Sequence, residues 1–503
     1  MKMRISTSGF CQRLTLSLVA AAALGANSAV DVQLIQAVKD GDARAVRGLL
    51  ERDADVNAPQ GDGATALHWA AHRNDLEIAE ILIRAGGLVN ATNDLGVTPL
   101  WVAATAGSAP MMAGLLQAGG DPNLAPATGG TPLMIVSRQG NVAAVELLLT
   151  NDADVNVVEG AQGQTALMWA VAQDRAAVVD VLLAAGADLN VRTKVSSRHV
   201  LLCCQKSLGR TEGAVWVKQG GFTALMFAAR HGAASSARHL LAAGASVDDT
   251  AAVGSTSLVV AAQHGYGEVA AVLLENGADP DAVRAGYAAL HWAALRGDRE
   301  LVKTLLAHGA NPDVQLTKGS TLKHDRRAFA FDKFLVGATP FALAARRSDV
   351  GIMRLLATAG ANTSLPLKDG RTAVMVAARG RTTGLRRLRL GENQILETVR
   401  VGLDLGVSVN AVSHSGDTAL HVAAASKFES VIRLLADRGG SLQARNSLGQ
   451  TPLAVALAPP EAPQGAVGGS ALARYREQYA EWQASNGHPP IAELLRSLGA
   501  TVE

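Results

Sequence analysis

Residues 162–191 read QGQTALMWAVAQDRAAVVDVLLAAGADLNV, and close copies of this stretch recur along most of the chain. Thr165 stands where its hydroxyl can cap the free backbone N–H groups of a short first helix, which we expect to run to about Gln173. A second helix is expected over about residues 176–185. Its apolar side chains lie on one face, and they are Val178, Val179, Leu182 and Leu183.

The residues around these two helices predict a compact unit that cannot stand alone. Small Ala170 on the first helix lets the second helix approach closely, and Gly186 can take the left-handed conformation that ends the second helix. Asp188 and Asn190 then favour a turn. Helices of about two turns each are too short to be stable in water. The unit must therefore bury its apolar face against neighbouring copies.

The copies share a capping position and a second signature in fixed phase. The capping position recurs at Thr65, Thr98, Thr131, Thr165, Thr223, Thr256, Ala288, Thr339, Thr372, Thr418 and Thr451. Seven of the ten gaps between these positions are 32–34 residues. The opening reads TALHWAA from Thr65 and TPLWVAA from Thr98, and LLAAGADLN from Leu182 recurs as LLENGADPD from Leu273. This pattern resembles the ankyrin repeat. The resemblance implies an all-α solenoid of helix-turn-helix units with β-hairpin-like fingers.

The N-terminal segment, residues 1–28, has the order of a secretory signal peptide. Three basic residues, the last of them Arg13, precede an apolar run from Leu14 to Ala26. That run of about 13 residues is shorter than the roughly 20 that a membrane-spanning helix needs. We therefore expect a bacterial protein that is exported to the periplasm or secreted, although an N-terminus that is apolar without being a signal is the alternative.

Charge and cysteine usage argue against nucleic acid and anionic membranes as partners and against disulfide bonds as a means of stabilisation. Without residues 1–28 the chain has 43 Lys and Arg against 44 Asp and Glu, so we expect no general attraction to nucleic acid or anionic membrane. No later segment is long and apolar enough to span a bilayer. Cys203 and Cys204 are adjacent, and adjacent cysteines cannot link distant parts of a chain.

Interruptions of the period divide the chain into repeats, caps and insertions. Residues 31–59 lack the TPLH opening and are expected to form an N-terminal capping repeat. Asp53 and Asp152 replace the usual glycine after a second helix, and aspartate tolerates the left-handed conformation required there. The remaining segments are repeats at 60–193, 221–313 and 338–456, finger insertions at 194–220 and 314–337, an insertion between two helices at 380–391, and an interrupted C-terminal repeat at 457–503.

Two insertions contain charged clusters that could bind a partner. Loops in repeat proteins often lie on binding faces, although they also drift in sequence without function. Arg326 and Arg327 stand among phenylalanines in the 314–337 insertion, which could dock an acidic surface or fold back on the repeats. Arg386 and Arg387 belong to an arginine-rich run that could attract an anionic partner or remain ordinary solvated charge.

Signatures of catalysis and of metal or cofactor binding are absent from the sequence. There is no HExxH, Walker-type GxxxxGK[ST], GxSxG or CxxC pattern. His199, Cys203 and Cys204 fall short of the four ligands that a closed zinc site needs. The resemblance implies that histidines in the fourth place of the TPLH motif form hydrogen bonds within and between repeats. These histidines are His68, His291 and His421.

We therefore predict a non-catalytic, monomeric scaffold that binds a protein partner, with no cofactor and no nucleic acid. The resemblance implies a concave binding side made of first helices and fingers. The candidate contact residues are Trp69, Trp101, Trp169, Trp292, Arg326, Arg327, Arg386 and Arg387. Two alternatives remain: an enzyme whose site lies in the long insertions, and a self-associating structural protein of the cell envelope.

Overall fold

A computed structural model describes residues 29–127, 129–201, 214–319, 333–380, 391–458, 479–480 and 490–501. The chain separates into two units, residues 1–191 and 192–503. Each unit is a stack of antiparallel helix pairs, so the predicted all-α architecture of helix-turn-helix repeats is confirmed. The predicted signal segment, residues 1–28, lies outside the described residues. Within the described residues, no helix combines the length and the apolar character needed to cross a membrane.

The described part of the first unit contains five helix pairs. They are α1 (Ala29–Asp40) with α2 (Ala43–Leu50), α3 (Ala66–Arg73) with α4 (Leu76–Arg84), α5 (Pro99–Ala106) with α6 (Ala109–Gln117), α7 (Pro132–Gln139) with α8 (Val142–Leu149), and α9 (Ala166–Val171) with α10 (Ala176–Ala184).

The described part of the second unit contains seven helix pairs. They are α11 (Ala224–His231) with α12 (Ala234–Ala242), α13 (Ser257–His264) with α14 (Gly267–Glu275), α15 (Ala289–Arg296) with α16 (Arg299–Ala307), α17 (Pro340–Arg347) with α18 (Val350–Thr358), α19 (Ala373–Ala378) with α20 (Glu392–Asp404), α21 (Ala419–Ser426) with α22 (Glu429–Asp437), and α23 (Pro452–Leu457) with α24 (Pro490–Ser497).

Helices α9 and α10 are formed by residues 162–191, so they test the predictions made for that stretch. Thr165 Oγ1 accepts the N–H of Met168 at 3.3 Å, as a capping residue should. The first helix ends at Val171 and not near Gln173, because the N–H of Gln173 bonds to the carbonyl three residues back and the turn tightens. On α10, Leu183 is only half-buried, whereas the other three predicted apolar residues are in the core.

The contribution of the Thr165 cap to stability can be measured by substitution. Thr165→Ala removes the acceptor for the Met168 N–H, so we expect the free energy of unfolding to fall by about 1 kcal/mol. Thr165→Ser keeps the hydroxyl and should restore most of that loss. Urea denaturation followed by circular dichroism measures both variants, and equal loss in the two would show that the methyl group and not the hydroxyl carries the effect.

Each stack has two rows, one of first helices and one of second helices. Every first helix packs on the next first helix within its unit, and second helices pack in a parallel row. The alanines of the motif, such as Ala70 and Ala103, are fully buried at the contact between the rows. Their small side chains permit the close approach that was predicted for Ala170, which is also fully buried.

Asparagines of the GADVN signature join successive second helices. Asn57 Oδ1 accepts the N–H of Leu88 at 2.7 Å, and its Nδ2 donates to the carbonyl of Gly86 at 3.1 Å. Both groups belong to the turn that follows the next second helix, so one side chain satisfies the end of a helix in the neighbouring repeat. The same pair of bonds recurs at Asn90, Asn123 and Asn156.

The first finger insertion contains two strands, the ones assigned in the described part of the chain. Strand β1 (Ser196–Leu201) pairs with β2 (Ala214–Gln219) in antiparallel register, from Ser196 opposite Gln219 to Leu201 opposite Ala214. Gly220 ends the ladder with φ 102°, and a Cβ there would lie 2.0 Å from the carbonyl oxygen of Lys194. In the second insertion the described residues form one turn of 3₁₀ helix, Lys333–Leu335.

Candidate partner-binding face

The motif histidines hold first helices in register. His68 Nδ1 lies 3.1 Å from the backbone N of Thr65, and Nε2 lies 2.9 Å from the carbonyl oxygen of Val97 in the next repeat. A backbone N–H can only donate, so Nδ1 is the acceptor and Nε2 carries the proton. His421 makes the equivalent pair of contacts, with the next repeat's carbonyl at 2.9 Å. Each histidine therefore closes its own helix start and bonds to the following repeat.

Trp101 occupies the same position of the motif as His68 and makes the hydrogen bond to the following repeat. Its Nε1–H donates to the carbonyl of Gly130 at 3.0 Å. Gly130 directly precedes a capping threonine, as Val97 does in the preceding repeat. This candidate contact residue is thus bonded into the joint between two repeats.

Trp101→Phe tests the hydrogen bond that joins the two repeats. It keeps the ring but leaves the buried Gly130 carbonyl without its donor, which should lower the free energy of unfolding by about 1–3 kcal/mol. Trp101→His places the motif's usual donor at the site and should cost less than Trp101→Phe in urea denaturation. If phenylalanine were as stable as tryptophan, the indole N–H would have no part in joining the repeats.

The second unit contains the most deeply buried of the motif histidines and its tryptophan neighbour. His291 Nδ1 accepts the N–H of Ala288 at 3.0 Å, and burial lowers the pKa of His291 to about 4. Trp292 is 1 % exposed and packs edge-on against Tyr287, with ring centroids 5.4 Å apart. The selection of Trp292 as a partner contact needs correction, because its side chain lies in the core and presents no surface.

Trp69 and Trp169 are half-buried on first helices of the first unit. Trp69 Nε1 donates to Gln60 Oε1 at 3.1 Å, and Lys39 Nζ lies 4.2 Å from the centre of the ring. The Arg138 guanidinium lies 5.7 Å from the ring of Trp169. Each indole thus keeps one face beside a cation, and both residues stay candidates for partner contact. The other candidates, Arg326, Arg327, Arg386 and Arg387, lie outside the described residues.

Arginines at the ends of first helices form contacts that were not predicted from the sequence. Arg296 Nη1 donates to the carbonyl of Gln263 at 3.1 Å, which is near the end of the preceding first helix. A Cβ added to Gly265 would lie 2.3 Å from the same guanidinium. Glycine after one first helix therefore makes room for an arginine from the next, and that arginine satisfies a free helical carbonyl.

The same arrangement recurs at two other joints. Arg73 donates to the carbonyl of Lys39 beside Gly41, and Arg347 donates to the carbonyl of Leu295, each at 2.7 Å. The sequence signal that could have found these contacts is a glycine after one first helix and an arginine that ends the next, 31 or 32 residues later, or 50 across the second insertion. The spacing alone could not show that the two meet.

Charge is distributed unequally between the two rows of helices. Among the described first helices from α3 onward, in both units, none contains aspartate or glutamate. In the second unit, five successive first helices have cationic or titratable residues at their C-terminal ends. These residues, which we call the basic ridge, are Arg230, His231, His264, Arg296, Arg346, Arg347 and Arg379.

Members of the basic ridge influence one another across repeats. Burial is the largest cause that lowers the pKa of His231 and of His264, and the positive charge of Arg230 lowers both further. Arg296 adds to the effect on His264 and also lowers the pKa of Arg347. The lowered pKa values favour the neutral imidazoles, so the positive charge of the ridge near neutral pH comes from its arginines.

The geometry of the described residues defines a class of protein. Stacked helix pairs whose turns bond to the next pair are those of a helical-repeat protein. In the described segments no group of three or more His, Cys, Asp or Glu is placed to hold a metal ion. A family model described as "Ankyrin repeats (3 copies)" matches residues 34–126, 115–193, 199–284, 225–316 and 290–395, and one described as "Ankyrin repeat" matches residues 415–447.

The chain belongs to the ankyrin-repeat family. Ankyrin repeats generally form scaffolds for interaction with other proteins and are typically non-catalytic. A comparison with curated proteins finds no match.

Proposed function

We propose that this chain is an exported, non-catalytic scaffold that binds a protein partner on its first-helix row and fingers, the side that is concave in the family it belongs to. The observation that carries the proposal is the joint made by His68, Trp101 and His421, which fixes successive first helices relative to one another. A platform held in this way loses little entropy when a partner binds. The exposed residues of the first helices do not take part in these inter-repeat bonds, so their identity can suit the partner.

Site-specific photo-crosslinking in the intact protein tests the proposal. A photoreactive amino acid replaces Thr105 or Ala425, which are exposed on first helices, or Lys303 or Arg433, which are exposed on second helices. We expect crosslinks to a protein partner from the first-helix positions, each unit being considered by itself, and few from the second-helix positions. Equal yields on the two rows, or none on the first-helix row, would rule out the proposed face.

Export and oligomeric state form the finer part of the proposal. The basic and then apolar order of residues 1–28 supports export, and cell fractionation with and without these residues tests it. Retention of the full chain in the cytoplasm would contradict export. We propose a monomer for the mature chain, and light scattering over a range of concentrations should give one mass. A mass that rises with concentration would instead favour the self-associating envelope protein.

A further inference from the structure

The β1–β2 hairpin is built on the base of an ordinary finger. The N–H of Thr193 donates to the carbonyl of Phe222 at 3.0 Å, just as the N–H of Gln60 donates to that of Ala64 at 2.9 Å in a finger without an insertion. Three residues separate the second pair, whereas residues 194–221 separate the first. The hairpin is therefore an addition to a finger whose base already has its usual hydrogen bond.

The hairpin is exposed where it leaves the finger. Among the described elements of the second unit, β1 and β2 pack along each other, and no helix packs along either strand. Ser196 and Ser197 begin β1 and are both exposed, as is Lys218, which lies opposite Ser197. Successive residues of a strand point to opposite faces. Neither face of the hairpin is therefore covered at this end.

The two strands have outer edges that can pair with another strand. Within the described residues the sheet consists of β1 and β2 alone, so each strand has one edge that is not paired with a further strand. The N–H and C=O groups along such an edge are a template for an additional strand. A hairpin of two strands is only marginally stable in water, and a third strand adds stability. Strand addition is thus favourable here.

The charge of the inserted stretch determines which strand fits. Residues 194–221 contain five Lys and Arg, one Glu and no Asp, which gives a formal charge of +4 with histidine neutral. Arg192, just outside this stretch, is already paired with Asp249 at 2.8 Å. A cationic hairpin attracts a segment that contains carboxylates and repels the hairpin of a second copy of this chain. The complementary strand is therefore an acidic one from another protein.

We propose that the β1–β2 hairpin binds an acidic, extended segment of the protein partner as a third strand. Each strand has six residues and spans about 20 Å, so a segment of about six residues fits. Main-chain hydrogen bonds supply the affinity, and charge supplies the preference for an acidic segment. This inference rests on the proposed scaffold function and specifies which finger of the second unit binds and what it binds.

Fluorescence anisotropy with labelled synthetic peptides tests the proposal on the full chain. The probe is a peptide of alternating valine and glutamate, about eight residues long. A control peptide has the same sequence with N-methyl groups on its two central residues, whose N–H groups point to opposite edges of a strand. It keeps the charge but cannot pair normally along either edge. We expect it to bind at least about tenfold more weakly, and equal affinity would overturn strand pairing.

Two further measurements separate charge from strand pairing. A valine-lysine peptide should bind at least about tenfold more weakly than the valine-glutamate probe, and equal binding would overturn the preference for an acidic segment. In hydrogen exchange, the probe should slow the backbone amides of residues 196–201 or of residues 214–219 at least about tenfold, because an added strand protects the edge that it covers. Binding without slower exchange in either strand would overturn the hairpin as the site.

Shortening the hairpin tests the site within the intact protein. Residues 194–221 are replaced by Gly-Asp-Gly, the three residues that lie between Gln60 and Ala64, which restores a finger of ordinary length on the same base. We expect this variant to lose binding of the valine-glutamate probe while circular dichroism shows unchanged helix content. Undiminished binding to the shortened finger would overturn the inference.

Charge reversal tests the same site without removing the hairpin. Lys218→Glu changes an exposed residue of β2, and we expect it to bind the probe about threefold to tenfold more weakly. Lys368→Glu makes the same change at an exposed residue of another finger and should bind the probe as the unaltered protein does. Equal weakening in the two variants would show an effect of net charge and would overturn the hairpin as the site.

Other outcomes distinguish this inference from the proposed scaffold function. If first-helix crosslinks capture a partner while the valine-glutamate probe does not bind, the scaffold function stands and the hairpin inference fails. If the probe protects the hairpin while first-helix crosslinks capture nothing, the hairpin site stands and the first-helix face is wrong. A duplex oligonucleotide that displaces the probe and binds as tightly would make the hairpin a nucleic-acid site and overturn the peptide inference.

Discussion

Trp292→Ala is expected to lower the free energy of unfolding of the second unit by about 3–5 kcal/mol, the usual cost of replacing a buried tryptophan by alanine. The ring is 1 % exposed and packs against Tyr287, so its removal leaves a cavity inside the stack and forfeits an edge-on aromatic contact. Urea denaturation gives the total loss. Hydrogen exchange of peptides from residues 256–348 should show that the opening is local to the repeats around α15.

A matched variant separates packing from partner binding. Trp69 occupies the equivalent place one residue after the motif histidine, but it is half-buried. We therefore expect Trp69→Ala to cost less stability than Trp292→Ala. The core assignment would be wrong if Trp292→Ala unfolded at the same urea concentration as the unaltered protein and abolished crosslinks from Ala425. That result would return Trp292 to the partner-binding surface.

Features governed by a residue's own backbone were predictable from the sequence. The threonine cap at Thr165 is present as expected, and the predicted left-handed conformation is confirmed at Asp53 and Asp152, with φ 58° and 63°. Both predictions depend only on what a side chain can do within a few residues of itself. The inter-repeat bonds of His68 and His421 were implied by family resemblance, and the structure confirms them.

Features that depend on two repeats at once were not predictable in the same way. Trp292 and Trp69 stand at one motif position, yet only Trp292 is covered, with Tyr287 of the preceding finger against its ring. Trp101 is a candidate partner contact from the sequence, but its indole N–H takes the place of the motif histidine as donor to the next repeat. The contact of Arg296 with Gly265 joins residues of different repeats. Period and residue type place such residues in a repeat without showing what they touch.

Acidification is expected to destabilise the second unit through His291. Its pKa is about 4 in the folded protein because burial opposes the charged form, whereas an unfolded histidine titrates near its ordinary value of 6.5. As the pH falls below about 6.5, the unfolded state takes up the proton first. Stability that is fully present above this pH is therefore lost between about 6.5 and 4. The loss that comes from His291 is about 3 kcal/mol, and urea midpoints measured across this range should reveal it.

His291→Gln removes the titration and keeps the hydrogen bond. Gln394 already shows that glutamine can serve at this place in a helix, since its Oε1 accepts the Gly391 N–H at 3.2 Å. In the glutamine variant the pH dependence of stability between 6.5 and 4 should become shallower by about the same 3 kcal/mol. His308→Gln, an exposed substitution on α16's C-terminal end, controls for the loss of any histidine. If His291→Gln left the slope unchanged, protonation of other groups would cause the acid sensitivity, and the buried histidine would serve only to join the repeats.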